Sequence, residues 1–526
     1  MKNFILKARN FYTLLFAVVW VSVLCSEFFV RLWKLTTIGT LINAYIVLIC
    51  LFAAWLYFMQ ILLPTKILKP VLGVLILISA VTNVFCSQYG IVISPNMIRN
   101  SLETNPAEVL DLITLTWIFK VILFSALPLV CLKYLPQTKR VASFSMGLLS
   151  IGFAGIFVLS ALQPMSSLMR NHRDVRYLIT PFNSLVSTYK TFKEDSSSSS
   201  QRVRLIVDDT PQMGPALSNN TRPTVTVIVA GETTRSASWQ LAGYDRETNP
   251  NLSQRNIISL PKVSTCGTDT EQSLPCMFSR IGRRDYDRQR IVSEESLLPL
   301  LQRAGFDVTW IDNQSGCKGV CQGVKSKNAP QVAGETDQNL IEALKRELNA
   351  PSTGKNRVIV LHMMGSHGPA YFKRYPQKME FFKPACRSND FSKCSREEIL
   401  NAYDNSVRYT DYSLNEMIKV LEERKDIDSS LLFMSDHGES VGEKSLYLHG
   451  APRLVAPNEQ TQVPGILWLS EGTQKRLGTN VFTLTELDNV AHDHLYHTVL
   501  GLLDVDTKAY NPQWDLIQKI RRSTQP

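Results

Sequence analysis

SLLFMSDHGES, residues 430–440, is a run of apolar side chains that stops on an acid and an imidazole. A short continuous run of this kind, with neither helical nor alternating period, fits a strand buried on both faces, as in parallel sheets. TVTVIVAGET (224–233), FDVTWIDN (306–313), RVIVLHMMGSHG (357–368) and VPGILWLS (463–470) repeat the pattern. Between such runs, segments like REEILNAYDNSVRYTDYSLNEMIKVLEER (396–424) carry helical spacing. The alternation predicts an α/β domain on a largely parallel sheet.

In open α/β sheets, sites collect outside the carboxyl ends of the strands. Glu232 closes the first run, His367 follows the third, and Asp436 and His437 close the fourth. One glutamate near a strand end is ordinarily a cap or an ion-pair partner, but here three strand ends carry ligand-type residues. Carboxylate and imidazole suit Zn²⁺, which takes Asp or Glu oxygen and His nitrogen and leaves a position open for catalysis.

STCGTDTEQSLPCMFS (264–279) offers Thr270 for a fourth position. A threonine hydroxyl is a poor nucleophile at neutral pH, and coordination to zinc favours the alkoxide. If TEQSLPCMF begins a helix, its N-terminus also presents N–H groups to a phosphate. The competing reading is an N-cap, with Thr268 or Thr270 bonding the first turn.

The amino-terminal third has a different character. Five apolar stretches, residues 11–32, 40–63, 68–89, 113–134 and 144–163, approach the roughly 20 residues a helix needs to cross a bilayer. With Met1 inside, the cytoplasmic flanks hold Lys2, Lys7, Arg9, Lys66, Lys69, Lys133, Lys139 and Arg140, against Arg31, Lys34 and Arg99 outside. That bias and an odd number of spans export everything after Pro164, in a bacterium to the periplasm.

Cysteine usage points the same way. Of ten cysteines, Cys25, Cys50, Cys86 and Cys131 lie in or beside the spans, while Cys266/Cys276, Cys317/Cys321 and Cys386/Cys394 fall as close pairs in the exported part. Disulfides persist in oxidising compartments; metal ligation is the rival, but Cys-x-x-Cys knuckles are absent. Nearest-neighbour pairing is an assumption, since spacing alone does not fix connectivity. The net charge of +10 comes with no basic stripe interleaved with aromatics, which disfavours nucleic acid and fits a protein resting on anionic lipid head groups. SSSSS at 196–200 and the polar run after it mark a flexible link. The expected organisation is a membrane domain over 1–164, a connector over 165–220 and a catalytic domain over 221–526.

GETTRSASWQLAGYDRETNP (231–250), STCGTDTEQSLPCMFS, DNQSGCKGVC (312–321), GSHGPAYFKRYP (365–376), NAYDNSV (401–407) and SDHGESVGEKSLYLHG (435–450) together resemble the lipid A phosphoethanolamine transferases, including the mobile colistin-resistance enzymes. SDHGES alone is shared with wider sulfatase-like enzymes; the ordered set is specific. The resemblance implies five transmembrane helices plus a periplasmic α/β domain of alkaline phosphatase or sulfatase type, in a multi-pass protein of the bacterial inner membrane. It implies Thr270 as nucleophile and Glu232, Thr270, Asp436 and His437 as Zn²⁺ ligands. His367 and His449 resemble the family's histidines beside the transferring phosphate. Lys318 resembles a lysine that contacts the substrate, and Asn100, Thr104 and Glu108, on one helix face, resemble residues of the head-group site. His362 and the cluster His492, His494 and His497 read as structural. Asp269 and Glu271 depart from the small or neutral residues that flank the nucleophile in many relatives.

The implied reaction is a phosphotransfer. Phosphoethanolamine moves from phosphatidylethanolamine to Thr270 and then to a phosphate of lipid A, which adds an ammonium to the surface and weakens polymyxin binding. A core-sugar phosphate or another envelope acceptor is the alternative within enzymes, a phosphoglycerol transferase a more distant one, and a non-catalytic lipid-binding protein the alternative outside them.

Overall fold

The computed structural model describes residues 2–103, 106–136, 140–161, 163, 175–199, 208–351, 356–479 and 485–523. They form two compact units: Met1–Ile98 with Ile113–Phe192, and Arg99–Leu112 with Lys193–Pro526.

The first unit is helical. Helices α1 (Lys2–Val19), α2 (Ser26–Leu35), α3 (Ile38–Leu62) and α4 (Thr65–Tyr89) lead to α5 (Pro95–Glu103), which passes into the second unit at Arg99, and α6 (Pro106–Leu112), which belongs to that unit; α7 (Leu115–Lys133), α8 (Arg140–Ser160) and α9 (Phe182–Ser199) as far as Phe192 return to the first. Four helices, over Ile38–Leu62, Lys66–Tyr89, Leu115–Lys133 and Ser143–Ser160, are long and apolar enough to cross a membrane. The expected first span is a bent pair, Arg9–Leu24 and Ser26–Leu35, turning by 65°. A π-helical turn over Trp20–Leu24 breaks the ladder there, a known cause of kinks. The freed Leu24 carbonyl accepts the Thr180 hydroxyl at 2.8 Å, and the Thr180 carbonyl accepts Trp20 Nε1 at 3.3 Å. Helix α9 extends into the serine run, as far as Ser199. Its earlier turns are tied down, with Ser187 donating to the Ile93 carbonyl and Thr191 to that of Pro95. Serine costs a helix only about half a kcal/mol per residue, so an anchored helix runs on.

The second unit is built on a nine-stranded sheet. In chain order its strands and main helices are β1 (Thr224–Gly231), β2 (Ile258–Ser264), α10 (Thr270–Met277), β3 (Asp307–Asp312), β4 (Lys325–Asn328), α11 (Gln338–Asn349), β5 (Asn356–His362), α12 (Arg396–Glu422), β6 (Asp428–Ser435), β7 (Gln462–Leu469), β8 (Thr485–Glu486), β9 (Val490–Ala491) and α13 (Asp493–Leu502). The order across the sheet is β8-β2-β7-β6-β1-β5-β3-β4, with β9 also on β2. Every residue of β1, β5 and β6 is buried, as their apolar runs require.

β1 runs parallel to β5 and β6, and β3 parallel to β4 and β5, whereas β7 runs against both β6 and β2. The reversal of β7 is the exception in an otherwise parallel sheet and has a simple cause. A connection that stays at one end of a sheet joins antiparallel strands, and parallel neighbours need a crossover. The chain from Asp436 to Thr461 stays at the end where β6 finishes, so β7 starts there. Because β2 is antiparallel to β7, it points the same way as β1 and β6. The carboxyl ends of β1, β2, β3, β5 and β6 therefore share one end of the sheet, with Ala230 beside both His362 and Met434, and Gly231 beside Ser435.

Candidate active site

Thr270 opens α10 at that shared end. Asp269, extended at φ −149° and ψ 156°, caps the helix by accepting Gln272 N–H at 2.9 Å. Thr268 instead donates to the Ala451 carbonyl at 2.6 Å. Neither threonine is the cap, and the Thr270 hydroxyl is left for other work. It donates to Glu232 Oε2 at 3.1 Å and lies 3.3 Å from His437 Nε2. A disulfide between Cys266 and Cys276 closes the loop around it, and Cys317 bonds Cys321 and Cys386 bonds Cys394.

Glu232, Asp436 and His437 are fully buried and bring one ligand atom each within 4.8 Å of one another. His437 Nε2 stands 3.5 Å from Glu232 Oε1 and 3.3 Å from Asp436 Oδ2. His437 Nδ1–H donates to the Gly438 carbonyl at 3.0 Å, leaving the Nε2 lone pair facing the carboxylates. Burial, first of all, lowers its pKa and keeps it neutral. Asp436 Oδ1 accepts Thr233 N–H and His437 N–H, while Oδ2 is buried with no hydrogen-bond partner among the described residues. Two buried carboxylates and a neutral imidazole around one point are costly without a cation. The oxygen and nitrogen donors fit a small tetrahedral divalent ion, with Thr270 at the edge of the set.

Three imidazoles lie in series, His437 to His449 at 4.3 Å between ring centroids and His449 to His367 at 5.5 Å. Glu439, fully buried, accepts His449 Nδ1–H at 2.8 Å and the Tyr371 hydroxyl at 2.6 Å. Burial presses the His449 pKa down, but the charge and hydrogen bond of Glu439 outweigh it and the net shift is upward. His367 has no such carboxylate among the causes of its shift; burial, then the neighbouring His449 charge, hold it well below the usual histidine range. The two shifts run in opposite directions, so His449 holds a proton more readily than His367 does.

The acids beside Thr270 are engaged elsewhere. Asp269 is the helix cap, its pKa raised by burial. The Glu271 side chain turns to Arg288 and to Arg99, the latter at 3.7 Å. Neither extra charge is aimed at the threonine oxygen.

Lys318 Nζ donates to the Ser315 carbonyl at 3.2 Å, in the same loop as Gln314, whose Nε2 donates to Glu232 Oε2 at 2.8 Å. Asn100 follows Arg99 on α5, whereas Thr104 and the Glu108 side chain lie outside the described residues. His362 is packed, its Nδ1 bonded to Asp312 Oδ1 at 2.7 Å. Of the carboxy-terminal cluster, His492 accepts Cys266 N–H at 3.0 Å and donates to the Ser435 carbonyl at 2.9 Å. His494 and His497 accept backbone N–H groups of Ala491 and Asn511. Residue-level reading passed over Gln314 and Glu439. Gln314 stands just past the end of β3, and Glu439 lies three residues past Asp436 in SDHGES; both positions were available as signals.

A buried threonine hydroxyl and an acid–imidazole cluster at one end of a mixed α/β sheet define a sulfatase-type domain, and the sulfatase family matches residues 224–505. The family described as phosphoethanolamine transferase EptA/EptB matches residues 50–196. The chain is 37% identical to phosphoethanolamine transferase EptA of Escherichia coli K12 over 86% of both chains. It is 33% identical to phosphatidylethanolamine transferase Mcr-1 of Escherichia coli over 84% of both. The solved integral membrane lipooligosaccharide phosphoethanolamine transferase A of Neisseria meningitidis superposes with a TM-score of 0.89 at 31% identity, covering 97% of this chain and 98% of that one. This chain belongs to the phosphoethanolamine transferase family.

Proposed function

We propose that the protein takes phosphoethanolamine from phosphatidylethanolamine and delivers it to a phosphate of lipid A through a phosphothreonine at Thr270, with Zn²⁺ held by Glu232, Thr270, Asp436 and His437. The observation that carries the reading is Thr270 Oγ1 between Glu232 Oε2 and His437 Nε2 at the start of α10. The names of two relatives support its ends: Mcr-1 is a phosphatidylethanolamine transferase, and the Neisseria protein acts on lipooligosaccharide. On this reading the spans sit in the bacterial inner membrane, the catalytic domain faces the periplasm, and the product binds polymyxins less well.

Zn²⁺, when bound, supplies positive charge that favours the threonine alkoxide and offsets charge on the phosphoryl oxygens. The Thr270 hydroxyl points its proton at Glu232 Oε2. Attack forms the Oγ–P bond and breaks the bond from phosphorus to the glycerol oxygen, so diacylglycerol needs a proton. His449, whose proton Glu439 helps to hold, is placed to give it. In the second step a lipid A phosphate oxygen attacks the same phosphorus, the Oγ–P bond breaks and Thr270 recovers its proton. His367, its pKa lowered chiefly by burial, is the complementary acceptor beside it. Lys318 and the segment bearing Asn100, Thr104 and Glu108 are assigned to the head group.

Lipid analysis by mass spectrometry after expression tests the reaction. Lipid A bearing one added phosphoethanolamine, lost in Thr270→Ala, is the expected result; the added mass on core sugar with none on lipid A would refute the acceptor.

A further inference from the structure

The segment Arg99–Leu112 carries a charge at each end, and both charges lead into the active site. Arg99, 2% exposed, holds its Nε 3.7 Å from Glu271 Oε1, and Glu271 is the residue after Thr270. At the other end, Asp111 takes Lys373 Nζ at 2.7 Å and lies 3.9 Å from Arg374 Nη2, while its carbonyl accepts Asn389 Nδ2. Arg374, 2% exposed, in turn donates from Nε to the His367 carbonyl at 2.8 Å. One clamp thus reaches the neighbour of the nucleophile and the other reaches the backbone of an active-site histidine. A cavity of about 380 Å³, lined in part by Asp111, Arg374, Asp312 and Gln314, adjoins the second clamp, and Gln314 donates to Glu232.

Two features set these contacts apart from ordinary surface pairing. Glu271 also pairs with Arg288, which comes from the Lys193–Pro526 part of the catalytic unit, so the buried carboxylate has a cation without Arg99. The segment's flanking residues, Ile98 and Ile113, both belong to the membrane unit, so this stretch of the catalytic unit is continuous at both ends with span-forming chain.

We infer that Arg99 and Asp111 are positioning residues: they hold the two ends of the Arg99–Leu112 stretch against the rest of the catalytic unit so that a phosphodiester presented from the lipid phase is aligned with Thr270 Oγ1. The inference rests on the transfer reading above. Releasing either clamp misplaces a lipid-borne donor relative to the nucleophile, whereas a small soluble donor that diffuses to Thr270 does not use the alignment. A misplacement of about 1 Å costs as much as a hundredfold in rate.

The test compares two donors on the full-length protein: vesicles of phosphatidylethanolamine and phosphatidylglycerol, and the water-soluble p-nitrophenyl ester of phosphoethanolamine. Arg99→Gln and Asp111→Asn are expected to lower kcat/KM on vesicles about tenfold or more while changing the soluble ester less than about threefold, with Arg99→Lys recovering most of the loss. Arg288→Gln removes a cation from the same Glu271 but not from the segment, and leaves the ratio between donors unchanged. Equal losses on both donors, no loss on vesicles, or an Arg288→Gln shift that matches Arg99→Gln would overturn the inference. Thr270→Ala separates the two levels: if it still turns over both donors the transfer reading itself fails, and if it is inactive the clamps are judged on the donor ratio alone.

Discussion

His492 links the two halves of the site, and its removal from the titration gives a sharp prediction. It is fully buried, accepts Cys266 N–H at the start of the disulfide-closed loop, and donates to the carbonyl of Ser435, the residue before Asp436. Both bonds require the neutral Nε2–H tautomer. Burial lowers its pKa from 6.5 to about 4. The folded state therefore resists a proton that the unfolded chain accepts, so this stabilisation is complete above pH 6.5 and is lost as pH falls towards 4. At 1.36 kcal/mol per pKa unit the loss reaches about 2 kcal/mol at pH 5 and about 3 kcal/mol at pH 4. In His492→Gln the amide oxygen accepts from Cys266 and the amide nitrogen donates to Ser435, with no group left to titrate. Thermal unfolding of both full-length proteins between pH 4 and 7.5 reads the effect. Wild type loses stability relative to His492→Gln as pH falls below 6.5, by several degrees in Tm at pH 5. A difference that stays constant across this range would refute the strut role of the neutral imidazole. His494 and His497, each also lowered to about 4 chiefly by burial, steepen the acid loss in both proteins alike and cancel in the comparison.

Other perturbations probe the remaining parts. Glu439→Gln removes the carboxylate that holds the His449 proton, and lowers kcat about 10²-fold with little change in zinc content, read by steady-state transfer and metal analysis. Glu232→Gln loses bound zinc on dialysis and with it activity, and chelation of the wild type gives the same loss, reversible by Zn²⁺ alone. Gly365 sits at φ +52°, where an added Cβ would meet the Glu232 carbonyl oxygen at 2.4 Å; Gly365→Ala costs on the order of 1–3 kcal/mol and lowers Tm and activity together.

The parts of this protein that could be read from sequence are those set by local pattern. The apolar runs ending at Glu232 and Asp436 announced buried strands with carboxylates at their exits, because strand burial and strand length are local properties. Thr270 was legible because it stands between two cysteines on the rim of the same sheet. Direction and long-range pairing were not legible in this way. The reversal of β7 depends on where the loop from Asp436 to Thr461 stays, and the bend between Leu24 and Ser26 is tied to Thr180, far along the chain. Gln314 and Glu439 act through partners 82 and 10 residues away, which no spacing rule displays. Asp269 and Glu271 looked like unusual charge beside a nucleophile; their partners, the Gln272 amide and two arginines, show that charge count near a residue says little until orientation is known.

The central claim is that Thr270 carries the transferred group. Full-length protein incubated with phosphatidylethanolamine vesicles in the absence of acceptor, then digested for mass spectrometry, tests it most directly. A Thr270-containing peptide heavier by one phosphoethanolamine, discharged when lipid A is added and absent in Thr270→Ala, is the predicted result. Turnover of the donor with an unmodified Thr270 peptide, or with the added mass on another residue, would contradict it.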